Sequence, residues 1–113
     1  MMPTVLTSHE SKVAYVQKYL TAVERGEEMC PLIIAGGGAT GKSFVINEIA
    51  GTSNIPIVVI HDNTHRYFPG KCADSNVCAM IFTTLGVQDD IKVAAYFNSK
   101  LVQFKPDISY TKP

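Results

Sequence analysis

One stretch, residues 32–50, restricts the fold of this chain more than any other. Leu32-Ile33-Ile34-Ala35 is apolar without interruption, Gly36-Gly37-Gly38-Ala39-Thr40-Gly41 follows, and Lys42 to Ala50 then reads as a helix stopped by Gly51. The order is buried strand, glycine-rich turn, helix. Ile55-Pro56-Ile57-Val58-Val59-Ile60 is a second strand, β-branched and without polar alternation. A strand of that kind needs cover on both faces, which a parallel sheet flanked by helices supplies.

The flanking segments fit the same plan. Thr7 followed three residues later by Glu10 predicts a capping box, and Val13, Val16, Leu20 and Val23 recur at helical spacing before Gly26 ends the run. The first buried strand reads as Cys30-Pro31-Leu32-Ile33-Ile34-Ala35, with Pro31 near its start where a missing N–H does least harm, and Cys30 is expected in the core. Residues 61–76 read as one long polar loop, and loops of that length tend to carry function. Val77 to Thr84 predicts a third strand. Asp89-Asp90 opens a helix reaching about Asn98, and Lys100-Leu101-Val102-Gln103-Phe104 closes the set as a last strand. The expectation is a three-layer α/β domain with a mostly parallel sheet of about four strands. Residues 1–6 and 106–113 are expected to be exposed extensions of a single domain, 1–113.

Composition narrows the function classes. The chain has 113 residues, enough for one core and too few for two. Glutamates fall in the first half and aspartates in the second, which weights helix early and turns late. Ten basic residues balance ten acidic ones, so charge gives no support for nucleic acid or an anionic membrane as the main partner. No apolar run approaches a membrane span. No targeting segment is visible, and three cysteines suit a reducing compartment better than a disulfide framework. An intracellular, cytoplasmic protein without membrane contact is expected.

The spacing Gly36-x-x-x-x-Gly41-Lys42-Ser43 brings chemistry with it. A di- or triphosphate needs several N–H donors converging on one point, which bulky side chains would obstruct. Glycines at 36, 37, 38 and 41 allow positive φ and close approach, and a helix beginning near Lys42 aims its N–H groups and dipole at the anion. With its strand before and helix after, this segment resembles the phosphate-binding loop (Walker A) of P-loop NTPases. The resemblance implies a small P-loop NTPase-like domain that binds ATP or another nucleoside triphosphate with Mg²⁺ through Gly36, Gly37, Gly38, Ala39, Thr40, Gly41, Lys42 and Ser43. Lys42 would reach the β- and γ-phosphates, and Ser43 would hold the metal.

Turnover needs an acid as well, and Asp62, just past the second apolar strand, is the candidate for catalysis and metal contact; Asp also opens loops in its own right. Val77-Cys78-Ala79-Met80-Ile81-Phe82-Thr83-Thr84 resembles the sensor strand of viral superfamily 3 helicases, which ends in polar residues beside the γ-phosphate. Thr83 and Thr84 would then be the sensor. Val93 to Phe104 resembles the segment after it. The chain departs from that family in having only Asp74 where the family has an acidic pair, Leu85 where it has Asn, and only Arg25 and Arg66 as arginines. The resemblance therefore implies a reduced relative of the viral helicase ATPase core, a hydrolase in the host cytoplasm if viral, with homo-oligomers and single-stranded nucleic acid as partners to test.

Two other classes stay open. A nucleotide-binding module without turnover would use the same loop. A small-molecule or nucleotide kinase would use Asp62 as base and Arg66 as a lid over the phosphates. His61, His65, Cys72 and Cys78 are zinc-ligand types, but Cys-x₅-Cys is wider than usual. Tyr15 and Tyr19, four apart, fit a packing face better than base stacking.

Overall fold

The computed structural model describes residues 4–38, 40–61, 64–71, 76–85 and 100–106. In chain order these form β1 (Thr4–Leu6), α1 (His9–Glu24), β2 (Leu32–Ala35), α2 (Lys42–Ala50), β3 (Ile57–His61), β4 (Thr64–Phe68), β5 (Ala79–Thr84) and β6 (Lys100–Phe104). The strands make one six-stranded sheet in the order β1-β6-β2-β5-β3-β4. Every pairing is parallel except β3 with β4. The α/β class and largely parallel sheet agree with the sequence reading; the strand number does not.

Both additional strands lie at the edges. Thr4–Leu6, expected as an extension, pairs with Val102–Phe104 along the outer side of β6. Thr64–Phe68, expected within a loop, folds back antiparallel on β3, with His61 opposite Thr64 and Val59 opposite Arg66. Backbone pairing rather than burial holds these strands, since Thr64 to Tyr67 are all exposed. The expected helix at 89–98 and the tail from 107 lie outside the described residues.

Helix α1 is fixed at both ends. Its N-cap is Ser8 rather than Thr7: Ser8 Oγ accepts from Ser11 N at 3.1 Å, and Ser11 Oγ donates back to Ser8 O at 2.8 Å. This satisfies a first-turn donor that Glu10 was expected to help satisfy. At the other end Gly26 N donates to Val23 O and Glu27 N to Ala22 O, at 3.0 and 2.8 Å. That pair of bonds is a Schellman stop.

Both helices pack on one face of the sheet. Val16, Tyr19, Leu20 and Val23 of α1 and Val45, Ile46 and Ile49 of α2 form one cluster with Leu32, Ile34, Ile57, Val59, Ala79, Ile81, Val102 and Phe104. The period-two spacing of those strand residues identifies a single face. The neighbouring face at β2 is covered as well, with Ile33 and Ala35 buried. Tyr19 belongs to packing as expected, its hydroxyl donating to Cys30 O at 2.7 Å; burial pushes that phenol's pKa far up. Cys30 itself is only half-buried.

An ion pair closes the sheet edge that holds the N-terminal ends of the parallel strands. Lys100 Nζ lies 2.9 Å from Glu28 Oε2, and Glu28 Oε1 accepts from Cys30 N at 3.1 Å. The hydrogen bond from Lys100 holds the Glu28 carboxyl below its ordinary value, and Glu28 raises Lys100 in return. The pair therefore contributes above the ordinary carboxylate range and loses that contribution as pH falls through the depressed Glu28 value. On the alkaline side it is lost as pH rises through the raised Lys100 value. Because Lys100 is half exposed, the contribution is about 0.5 kcal/mol. Urea unfolding of Glu28→Gln should show a loss of that size at pH 7 that closes in acid; a loss undiminished at pH 2 would rule the pair out as its source.

Candidate functional site

The parallel strands deliver their C-terminal ends to one edge. The chain leaves β2 towards β3 and leaves β5 towards β6, in opposite directions across the sheet. The β2/β5 boundary is thus a switch point, the place where open α/β sheets take ligands. Residues 36–38 and 40–43 occupy it.

Gly36 is required by contact. Its N–H donates to Thr84 O at 2.9 Å, extending the β2–β5 ladder by one residue. A Cβ there would stand 2.7 Å from Phe104 O and 2.9 Å from Thr40 Oγ1. Gly36→Ala should therefore cost about 1–3 kcal/mol of stability, read as a lowered urea midpoint; an unchanged midpoint would mean β6 yields without cost. Gly41 is required by conformation, with φ +85° at the N-cap of α2. Gly37 and Gly38 meet neither requirement, contrary to the reading that gave positive φ or crowding to all four. Their Cβ positions look onto open space. A side chain there would obstruct only something arriving from outside.

Three side chains shape the loop from within. Thr40, buried, donates from Oγ1 to Gly37 O at 2.7 Å. Lys42 Nζ donates to Gly36 O and, at 3.1 Å, to Gly37 O, so its ammonium lies across the loop's own carbonyls. Lys12 was not anticipated. Its side chain is 2% exposed, and Nζ donates to Thr40 O at 2.8 Å and to Lys105 O at 2.5 Å. The ammonium also stands 5.3 Å from the centre of the Phe104 ring. One lysine thereby ties α1, the loop and the end of β6 together. Its position was legible in principle, four residues before Val16 on the buried stripe of α1, but lysine at that spacing reads as solvated.

Helix α2 begins without a side-chain cap and without an acid in its first turn. Its leading N–H groups and the positive end of its dipole therefore face the loop unopposed by a carboxylate. Ser43 is exposed on that turn. With the Lys42 ammonium at the loop's rim, the chemistry on offer is capture of an anion.

The polar end of β5 adjoins the loop. Ile34 lies opposite Thr83 and Ala35 opposite Thr84, which brings both threonines to the rim. Thr83 is buried, and its Oγ1 and carbonyl O lie 2.8 and 3.2 Å from His61 Nδ1 at the end of β3. A carbonyl only accepts, so that contact requires the proton on Nδ1. Ala39 and Asp62 lie outside the described residues, as do Cys72 and Asp74. Arg66 is not on a loop: it sits on β4, its guanidinium 3.1 Å from Asn47 Oδ1 of α2 and 5.0 Å from the Phe68 ring centre. The sequence reading places Arg66 in a loop; the structure places it on a strand, against α2. Arg25 caps the far end of α1.

Among the described residues, no group of three or more His, Cys, Asp or Glu is placed to hold a metal ion, and no helix is long and apolar enough to cross a membrane. No known protein-family model matches the chain, and no solved structure matches it.

Proposed function

We propose that this chain is a small P-loop domain that binds a nucleoside triphosphate, ATP in the first instance, together with Mg²⁺. The observation that carries the reading is the loop 36–43 itself. It lies at the switch point between β2 and an uncapped helix N-terminus, with Gly37 and Gly38 open outward and Lys42 folded over its rim. A triphosphate in that position gains N–H donors, the helix dipole and an ammonium at once. Ser43, exposed on the first turn, is a hard oxygen ligand of the type Mg²⁺ takes. The metal, when bound, neutralises charge on the phosphate oxygens. Lys42 orients the terminal phosphates, and Asp62 is the acid assigned to the nucleophilic water.

The arrangement of β5 supports the narrower reading, a reduced viral helicase-type ATPase core. The strand that resembles a sensor runs directly beside β2, and its last residue bonds to the first residue of the loop through Gly36 N and Thr84 O. Thr83 of that strand is bonded in turn to His61 at the end of β3. One observation favours a second reading, binding without turnover. The chain's two arginines are the Asn47-bound Arg66 and the Arg25 that caps α1, so neither stabilises charge at the loop.

Phosphate release from Mg-ATP separates these readings, measured with and without single-stranded DNA on the wild type and Lys42→Ala. Turnover abolished in the variant establishes an ATPase, and stimulation by DNA points to the helicase-like class. Binding without release, even at stoichiometric protein, establishes the module. Absence of both binding and release rejects the proposal.

A further inference from the structure

Phe44 stands two residues beyond Lys42 on the first turn of α2 with 66% of its surface exposed. Single exposed apolar side chains are ordinary. This one is held in place. The His9 ring meets it at 5.0 Å between centroids and 78° between planes. His9 is fixed in turn by Glu48, whose Oε1 lies 3.2 Å from Nε2, and Glu48 is one helical turn past Phe44 on the same helix. His9, held by Glu48, thus braces the Phe44 ring. His9 opens α1, which follows the C-terminal end of β1, so both helices start at the edge that carries the loop.

We infer that Phe44, braced by His9, is the platform on which the base of the bound nucleotide stacks. The inference rests on the reading of 36–43 as a nucleotide-phosphate site and adds to it the group that would recognise the base. Near-perpendicular rings are not stacked face to face, so His9 leaves at least one face of Phe44 for a ligand. Phe44 shares the first turn of α2 with Lys42 and Ser43, so its ring stands on the same helix end that would hold the phosphates. Stacking addresses the face of a base, which every nucleobase has, and not its hydrogen-bonding edge. The platform therefore favours purines over pyrimidines by stacking strength and discriminates poorly between adenine and guanine.

Calorimetric titration with Mg-ATP, Mg-GTP and the base-free probe Mg-tripolyphosphate tests this. In Phe44→Ala, affinity for both purine nucleotides should fall about 10-fold or more while tripolyphosphate affinity stays unchanged. Phe44→Trp should retain the wild-type values. Because the ring is exposed, the alanine variant is expected to fold, which its circular dichroism checks. Equal ATP affinity in Phe44→Ala and wild type would overturn the platform and leave the phosphate site standing. Wild-type protein that bound neither ATP nor tripolyphosphate would overturn both. An equal fall for tripolyphosphate and ATP in Phe44→Ala would also overturn the platform, since the ring would then be acting through the loop.

Discussion

On the proposed reading of residues 36–43, Lys42→Ala should abolish most of the thermal stabilisation gained from Mg-ATP. A ligand at 100 times its dissociation constant adds about 2.7 kcal/mol to the stability of the state that binds it. For a chain of this size that raises the melting midpoint by on the order of 10 °C. The Lys42 ammonium bonds to Gly36 O and Gly37 O across the rim of the loop. It is therefore held at the rim of the loop, where the proposed site would receive phosphate oxygens, with little side-chain freedom left to lose. Loss of a charge-assisted contact to a polyanion in that position should weaken binding on the order of 100-fold, equivalent to about 2.7 kcal/mol. At the same nucleotide concentration the variant would sit near its own dissociation constant, where stabilisation is only about 0.4 kcal/mol. The midpoint shift should then shrink to roughly 2 °C. The nucleotide-free midpoint serves as the control, because the two carbonyl contacts are lost as well. A variant that keeps the full shift would show that the ammonium does not meet the ligand, and the phosphate reading of residues 36–43 would lose its main support.

The site was legible where the chain is punctuated and hidden where it is not. Gly41 and Gly51 bracket α2, and its bounds, Lys42–Ala50, are those read from the sequence. β6 at Lys100–Phe104 was likewise legible, because Val102 and Phe104 alternate into the core. β1 and β4 were not. An edge strand draws its stability from backbone hydrogen bonds, and the exposed sequence Thr64-His65-Arg66-Tyr67 carries no burial pattern to announce it. The choice of Ser8 over Thr7 as cap turned on a second hydroxyl, Ser11, that closes the bond pair from the other side. Adjacent hydroxyl residues offer the same chemistry one residue apart, so composition alone could not decide between them. Thr83 could be named as a polar strand end, but its bond to His61 depends on β3 and β5 being neighbours. Lys12 was hidden for a different reason: the carbonyls it serves belong to Thr40 and Lys105, remote in sequence and adjacent only in the fold.

Lys12→Met isolates that ammonium. Methionine keeps an unbranched apolar stem against Phe104 and removes the charge and its donors. Two effects then compete. Desolvating a buried ammonium costs several kcal/mol, and the substitution relieves that cost. Against this, Thr40 O and Lys105 O lose their charged partner in a buried place, and an unsatisfied acceptor costs about 1–3 kcal/mol each. The acceptors are backbone atoms fixed by the loop and by the end of β6, where Lys105 N already donates to Leu6 O at 2.9 Å. They cannot turn to water without moving those elements, so their loss should win, with a net destabilisation of about 2–3 kcal/mol in urea unfolding. Nucleotide affinity should fall too, because Thr40 anchors the loop both through this carbonyl and through its hydroxyl on Gly37. Lys12→Arg distinguishes charge from fit: its longer, planar guanidinium does not fit the space of a compact ammonium buried between two carbonyls and a ring, so it should restore little. A Lys12→Met protein with wild-type stability and affinity would mean that the ammonium's desolvation cost cancels what its bonds contribute, and that the loop holds its shape without the tie to α1.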